Sequence, residues 1–285
     1  MKDKRKVEIV VLSDLHLGTY GCRAEELLQY LNSIRPEILI LNGDIIDIWQ
    51  FSKRYFPPAH MQVIRCVTKL LTEGTQVYYI TGNHDELLRK FKGFELANFQ
   101  IVNKLSLPVG DKKAWIFHGD VFDVTMKHSK WLAVLGGFGY DTLIRINTVV
   151  NWTSEKLGYG RLSFSKKIKN NVKGAIKFIN DFENTVADLA ISNHFDYVIC
   201  GHIHQPEIRE IKGKKGGSVV YMNSGDWIEN LSALEYQNGK WELVHHRELE
   251  NADELSKELL LAGMKKEKLF HTILEEFQYD HSIFK

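Results

Sequence analysis

Five short apolar runs of this sequence each stop at a cluster of aspartate, asparagine or histidine, and that repetition restricts the fold more than any other feature. The first run, Val7-Glu8-Ile9-Val10-Val11-Leu12, is short, β-branched and preceded by charge, and it reads as a buried strand. It leads directly into Ser13-Asp14-Leu15-His16-Leu17-Gly18. Residues two apart on a strand share a face, so Asp14 and His16 are expected side by side at its end. A carboxylate and an imidazole offered together suit a divalent transition metal. The pair is common by itself, and its meaning depends on whether further ligands accompany it.

They do. Leu27, Leu28, Leu31 and Ile34 recur at helical spacing within 23–34, with Pro36 as the stop. A second strand, Glu37 to Leu41, ends in Asn42-Gly43-Asp44-Ile45-Ile46-Asp47. A helix over about 59–73 is closed by Gly74, and a third strand, Gln76 to Ile80, ends in Thr81-Gly82-Asn83-His84-Asp85. This β-α-β-α-β order predicts a parallel sheet with right-handed crossovers, whose C-terminal strand ends are where ligands bind. Lys113 to Phe117 then delivers His118-Gly119-Asp120, and Phe195 to Cys200 delivers Gly201-His202-Ile203-His204, where His202 and His204, two apart on an extended segment, are expected on one face. Antiparallel strands are expected over 207–211, 218–222, 231–236 and 240–245, the last two joined by Gln237-Asn238-Gly239. The domain reading is a core of 1–120 and 194–250, a helical insertion of 121–193 and a helical tail of 251–285.

Composition excludes several classes. A net charge of +1 gives no global reason to expect nucleic acid or a membrane as partner. Three cysteines (Cys22, Cys66 and Cys200) without close spacing form neither a disulfide framework nor a zinc ribbon, and reduced thiols in a cytoplasmic protein are expected. No apolar stretch is long enough for a signal-peptide core or a transmembrane helix.

A lone histidine at a strand end, such as His118, is ordinarily a hydrogen-bonded structural residue. Five ordered clusters at one sheet edge are not explained that way. Asp14-x-His16, Gly43-Asp44-x-x-Asp47, Gly82-Asn83-His84-Asp85, His118-Gly119-Asp120 and Gly201-His202-x-His204 together resemble the signature of the calcineurin-like metallophosphoesterase superfamily, over roughly residues 7–226. The resemblance implies a four-layer α/β/β/α sandwich with a helical cap insertion. It also implies two divalent ions, Mn²⁺ favoured over Fe or Zn²⁺. Asp14, His16, Asp44 and His204 would hold one ion, and Asn83, His118 and His202 would complete the second site with Asp44 as the shared ligand. Two ions about 3.5–4 Å apart can clamp a phosphate and activate a water for in-line attack. His84 is then the candidate general acid, oriented by Asp85. Asp47 and Asp120 are read as loop or supporting residues.

Within that superfamily the layout is most similar to the UDP-2,3-diacylglucosamine diphosphatases of lipid A synthesis, in which a helical cap holds a lipid-linked sugar nucleotide. Lys127, Lys130, Arg161, Lys166 and Lys167 are the candidate substrate contacts in the cap. The basic stretch 161–177, which has no acidic residue, suits phosphates or a peripheral contact with the inner membrane surface. No extended basic groove appears elsewhere, so a nucleic-acid partner is not expected. One departure stands out: in those diphosphatases the residue after the metal-binding asparagine is usually arginine, and here it is His84. The alternatives are a phosphodiesterase or phosphatase acting on nucleotides or other small phosphate esters and, remotely, a catalytically dead interaction scaffold.

Overall fold

The computed structural model describes residues 4–48, 56–122 and 179–246. The expected parallel unit forms as β1 (Arg5–Leu12), α1 (Ala24–Ser33), β2 (Ile34–Asn42), α2 (Pro58–Thr72) and β3 (Gln76–Ile80). β1 and β2 pair in parallel, with Val10 opposite Leu39, and β2 and β3 do the same, with Leu39 opposite Val77. Pro36 does not separate α1 from β2 but lies inside the strand, opposite Val7. Proline favours an extended residue before it, so the chain passes from helix to strand without a loop.

Beyond β3 come β4 (Glu95–Leu96), β5 (Phe99–Val102), β6 (Lys104–Val109) and β7 (Lys112–Phe117), followed by β8 (Tyr197–Cys200), β9 (Glu207–Lys212) and β10 (Ser218–Asn223). β11 (Ser232–Gln237) and β12 (Lys240–His245) close the described chain. One sheet has the order β12-β11-β1-β2-β3-β5-β4 and the other β6-β7-β8-β10-β9. The sequence does not predict β4 to β6. In β6, Leu105, Leu107 and Val109 alternate with Lys104, Ser106 and Pro108, and proline is tolerated because β6 is an edge strand.

Alternation along the strands sorts the core into layers. Ile9, Val11, Ile40 and Ile80 of the first sheet pack against Leu107, Ile116, Ile199 and Met222 of the second. The opposite face of the second sheet presents Phe117, Val198, Cys200 and Tyr221 to Phe182, Val186, Ala187 and Ala190. These last four lie on α3, a helix over 179–192. α1 packs beside α2 and against β2, burying Leu27, Tyr30 and Leu31. The layers are therefore helix, sheet, sheet and helix, the expected sandwich.

Most of the expected insertion, 121–193, lies outside the described residues, as does the tail, 251–285. The described end of the insertion, α3, contributes to the sandwich. Contacts group the described residues up to Leu243 into one compact unit. No helix among the described residues is long and apolar enough to cross a membrane.

Ile199 is fully buried between the sheets. Ile199→Ala is expected to lower unfolding free energy by about 2–5 kcal/mol and Ile199→Val by about 0.5–1.5 kcal/mol. Urea titration followed by circular dichroism checks both.

Candidate metal centre

The ladder of β1 ends at Leu12, and Asp14 and His16 follow with left-handed backbones, φ 54° and 50°. That region is uncommon for a residue other than glycine. Backbone bonds to the loop after β2 hold the segment: Asp14 N–H to Gly43 O (3.0 Å), His16 N–H to Asp44 O (2.9 Å) and Leu17 N–H to Ile45 O (2.9 Å). Asp44 (φ 53°), His202 (63°) and His204 (55°) are left-handed as well. Strand alternation therefore does not set Asp14 beside His16, or His202 beside His204. Turns do, and the geometry expected from the sequence is corrected in this respect. Such backbone conformations concentrate at functional sites.

Six of the seven predicted ligands converge. Ligand atoms of Asp14, His16 and His204 lie within 4.8 Å of one another, as do those of Asp44, His118 and His202, and those of His16, Asp44 and His84. Asn83 adds a buried Oδ1 with no hydrogen-bond partner, and Asp14 Oδ1, His16 Nε2 and His118 Nε2 are in the same condition. Nitrogen and oxygen crowd together without hydrogen-bond geometry: His204 Nε2 is 3.0 Å from Asp14 Oδ1, and His118 Nε2 is 3.2 Å from Asp44 Oδ2. An unpaired buried polar atom costs about 1–3 kcal/mol. A cation among these atoms removes that cost, and mixed nitrogen and oxygen donors suit a divalent transition metal. The residues fit the metals that the sequence implies.

Two glycines make the approach sterically feasible. A Cβ on Gly82 would lie 2.2 Å from Asp44 Oδ1, and one on Gly43 (φ +81°) would lie 2.4 Å from the His118 ring. Across the remaining strand ends, Asp14 Oδ2 accepts the His202 N–H (3.0 Å) and Asp44 Oδ1 accepts the His84 N–H (2.8 Å).

Burial acts to raise the Asp14 carboxyl, but the imidazoles of His204 and His118 outweigh it and hold Asp14 well below the usual carboxylate range. Asp44 follows the same pattern, with His118 the main opposing group. For His204, burial lowers and Asp14 more than compensates, pushing the imidazole up to about 9. The protein groups alone thus form a tight mixture of charge, anionic at the two carboxylates.

His84 is placed differently from the expectation. Its Nδ1 lies 2.8 Å from Asp47 Oδ2, and its Nε2 faces the centre, 4.0 Å from Asp44 Oδ2. Asp85 does not orient it: its carboxylate accepts Gly82 N–H (2.6 Å), Ile45 N–H (2.9 Å) and Tyr79 O–H (2.7 Å). Asp47, buried at 1 % exposure, is the partner instead, and its Oδ2 also lies 3.4 Å from His16 Nδ1. Asp120 pairs with Arg89, whose guanidinium also reaches Gly82 O at 3.3 Å. His60, matched to no motif, accepts Gly18 N–H at Nδ1 (2.9 Å) and braces the His16 loop from α2. The Asp-x-x-Asp spacing that contains Asp47 was the available signal for it, whereas nothing local marks Arg89 or His60. Lys127, Lys130, Arg161, Lys166 and Lys167 lie outside the described residues.

A sequence model of the calcineurin-like phosphoesterase family matches residues 7–206, which include every predicted ligand. The chain belongs to that family. Its curated relatives include UDP-2,3-diacylglucosamine hydrolase of Blochmanniella pennsylvanica, 26% identical over 244 residues, covering 80% of this chain and 92% of the relative. The enzyme of the same name from Psychromonas ingrahamii is 23% identical over 240 residues, covering 82% and 95% respectively. Among solved structures, the phosphoesterase Yfce from E. coli matches with a TM-score of 0.43 at 13% identity, covering 84% of this chain and 93% of that one. This phosphoesterase is accordingly a metal-dependent hydrolase of phosphoester or diphosphate bonds.

Asp47→Ala is expected to free the His84 imidazole and lower kcat by about 10–100-fold, the usual effect of removing a residue that orients a site histidine. Asp85→Asn is expected to act first on stability, since its oxygens serve backbone N–H groups and Tyr79. Steady-state kinetics and thermal melting on both variants separate the two roles.

Proposed function

We propose that the phosphoesterase hydrolyses the diphosphate bond of a lipid-linked sugar nucleotide of the UDP-2,3-diacylglucosamine type, using two divalent ions with Mn²⁺ preferred. The observation that carries the hydrolytic part is the convergence of Asp14, His16 and His204 with Asp44, His118 and His202, His16 and Asp44 standing together in a third cluster. Asp14, His16, Asp44 and His204 would hold one ion, and Asp44, Asn83, His118 and His202 the other. When bound, such ions polarise a phosphoryl oxygen and lower the pKa of water. The substrate class rests on the relatives' names and on their near full-length match to this chain. Retention of the whole ligand set speaks against an inert scaffold.

The chain's own groups supply orientation and a proton. Asp47 holds His84 through Nδ1, which turns Nε2 toward the centre. From there His84 would donate a proton to a departing oxygen, a contribution on the order of 10²–10⁴ in rate. A second reading rests on that proton donor: hydrolysis of an ester whose leaving group is an alcohol. The cap lysines and arginine, with a peripheral inner-membrane contact and a cytoplasmic location, complete the proposal for the lipid-linked substrate.

Mass spectrometry of products from UDP-2,3-diacylglucosamine with Mn²⁺ tests the substrate. Release of UMP is expected, and inertness toward it alongside turnover of bis(p-nitrophenyl) phosphate would transfer the proposal to the second reading. Asp44→Ala is expected to strip metal and abolish turnover. Full metal occupancy with normal rates in that variant would refute its role between the two sites.

A further inference from the structure

The turn after β10 belongs to none of the five motifs, yet it touches the backbone of the centre repeatedly. Asn223 Nδ2 donates to Gly201 O (2.9 Å), Trp227 N–H to Asp14 O (3.2 Å), and Asn230 Nδ2 to His204 O (2.9 Å). Ser13 Oγ donates to Gly225 O (2.8 Å). Trp227 is fully buried against Tyr30, ring centroids 5.3 Å apart, and anchors the turn to α1.

Asp226 organises this turn. It is 1 % exposed, and its Oδ1 accepts the N–H groups of Ile228 (2.8 Å), Glu229 (2.7 Å) and Asn230 (3.3 Å). Its Oδ2 accepts the Asn230 side-chain amide, the same group that holds His204 O. That oxygen also lies 3.8 Å from His204 Nδ1, while His204 Nε2 faces Asp14 Oδ1 at 3.0 Å. His204 therefore has its inner nitrogen on the centre and its outer nitrogen opposite a buried carboxylate. A carboxylate behind a ligating histidine fixes the ring and increases its basicity.

We propose that Asp226 is a positioning residue for the ion held by Asp14, His16 and His204. It acts on the His204 ring through its charge and on the His204 and Asp14 backbones through Asn230 and Trp227. The proposal rests on the two-metal reading above and adds to it a residue outside the family motifs.

Asp226→Asn keeps an oxygen for the three backbone N–H groups and removes the charge opposite His204. The full chain, stripped of metal and titrated with Mn²⁺ by calorimetry, is expected to bind two ions. In Asp226→Asn one of the two affinities is expected to fall about 10–100-fold, with metal-free melting little changed. At limiting Mn²⁺ its electron paramagnetic resonance spectrum would then lose the spin-coupled pair in favour of isolated ions. Unaltered affinities at both sites would overturn the proposal. Should Asp226→Asn fail to fold, Asp226→Ser carries the test, because a hydroxyl oxygen can still accept from the backbone N–H groups of the turn while the charge opposite His204 is gone. Wild-type Mn²⁺ affinities in Asp226→Ser would then assign Asp226 to the fold alone and overturn the proposal. A wild-type chain that bound no Mn²⁺ would sink the two-metal reading itself, an outcome distinct from two intact sites in the variant.

Discussion

Asp14 and Asp44 are carboxylates at 0 % and 2 % exposure, and the rest of the site follows from the need to compensate them. An uncompensated buried charge is strongly destabilising, so each oxygen must meet a donor or a cation. One oxygen of each is met by backbone: His202 N–H at Asp14 and His84 N–H at Asp44. The others face imidazole nitrogens around a common centre. Each carboxylate thereby ties its own strand end to a distant one. Asp14, after β1, holds the loop after β8, and Asp44, after β2, holds the loop after β3. The groups that would bind metal are thus also the fasteners of the loops that present them.

The sandwich supplies the place where this can happen. Ile40, Ile80, Ile116 and Ile199 fill the space between the sheets, and within a few residues of each the chain turns polar at Asp44, Asn83, His118 and His202. The apolar core ends where the ligand set begins. Parallel pairing of β1 with β2, of β2 with β3, and of β7 with β8 aligns those transitions at one edge of each sheet. Antiparallel neighbours would have sent alternate clusters to the opposite edge.

The ligand residues and their order were legible in the sequence because residue type and strand-end position carry that information. Their geometry was not. Strand periodicity suggested that Asp14 and His16, or His202 and His204, share a face, but all four are left-handed residues beyond the ladder. Aspartate and histidine tolerate that conformation better than most residues, yet tolerance does not announce where it is used. Asp85 was misread for a related reason. An aspartate in a turn tends to bond nearby backbone N–H groups, and Asp85 does so at Gly82, leaving His84 to Asp47 across the loop. The brace around Asp226 was invisible because its contacts, to Asp14, Gly201 and His204, are long-range and largely to backbone. β6 was readable in retrospect from its alternation.

In the role proposed for it, His84 would also bear on what leaves the phosphorus. An imidazole held at Nδ1 by a carboxylate can release a proton from Nε2, whereas a guanidinium in the same place could not. When a diphosphate is cleaved, the departing phosphate is a stabilised anion with little need of a proton. An alkoxide departing from a phosphate ester needs one. In that role the Asp47–His84 pair would extend the range of leaving groups without narrowing it to esters, because a protonated imidazole facing a phosphoryl group also contributes positive charge, as a guanidinium does. The chemistry at this one position tolerates both substrate classes, so discrimination between them must come from surfaces that recognise the remainder of the molecule.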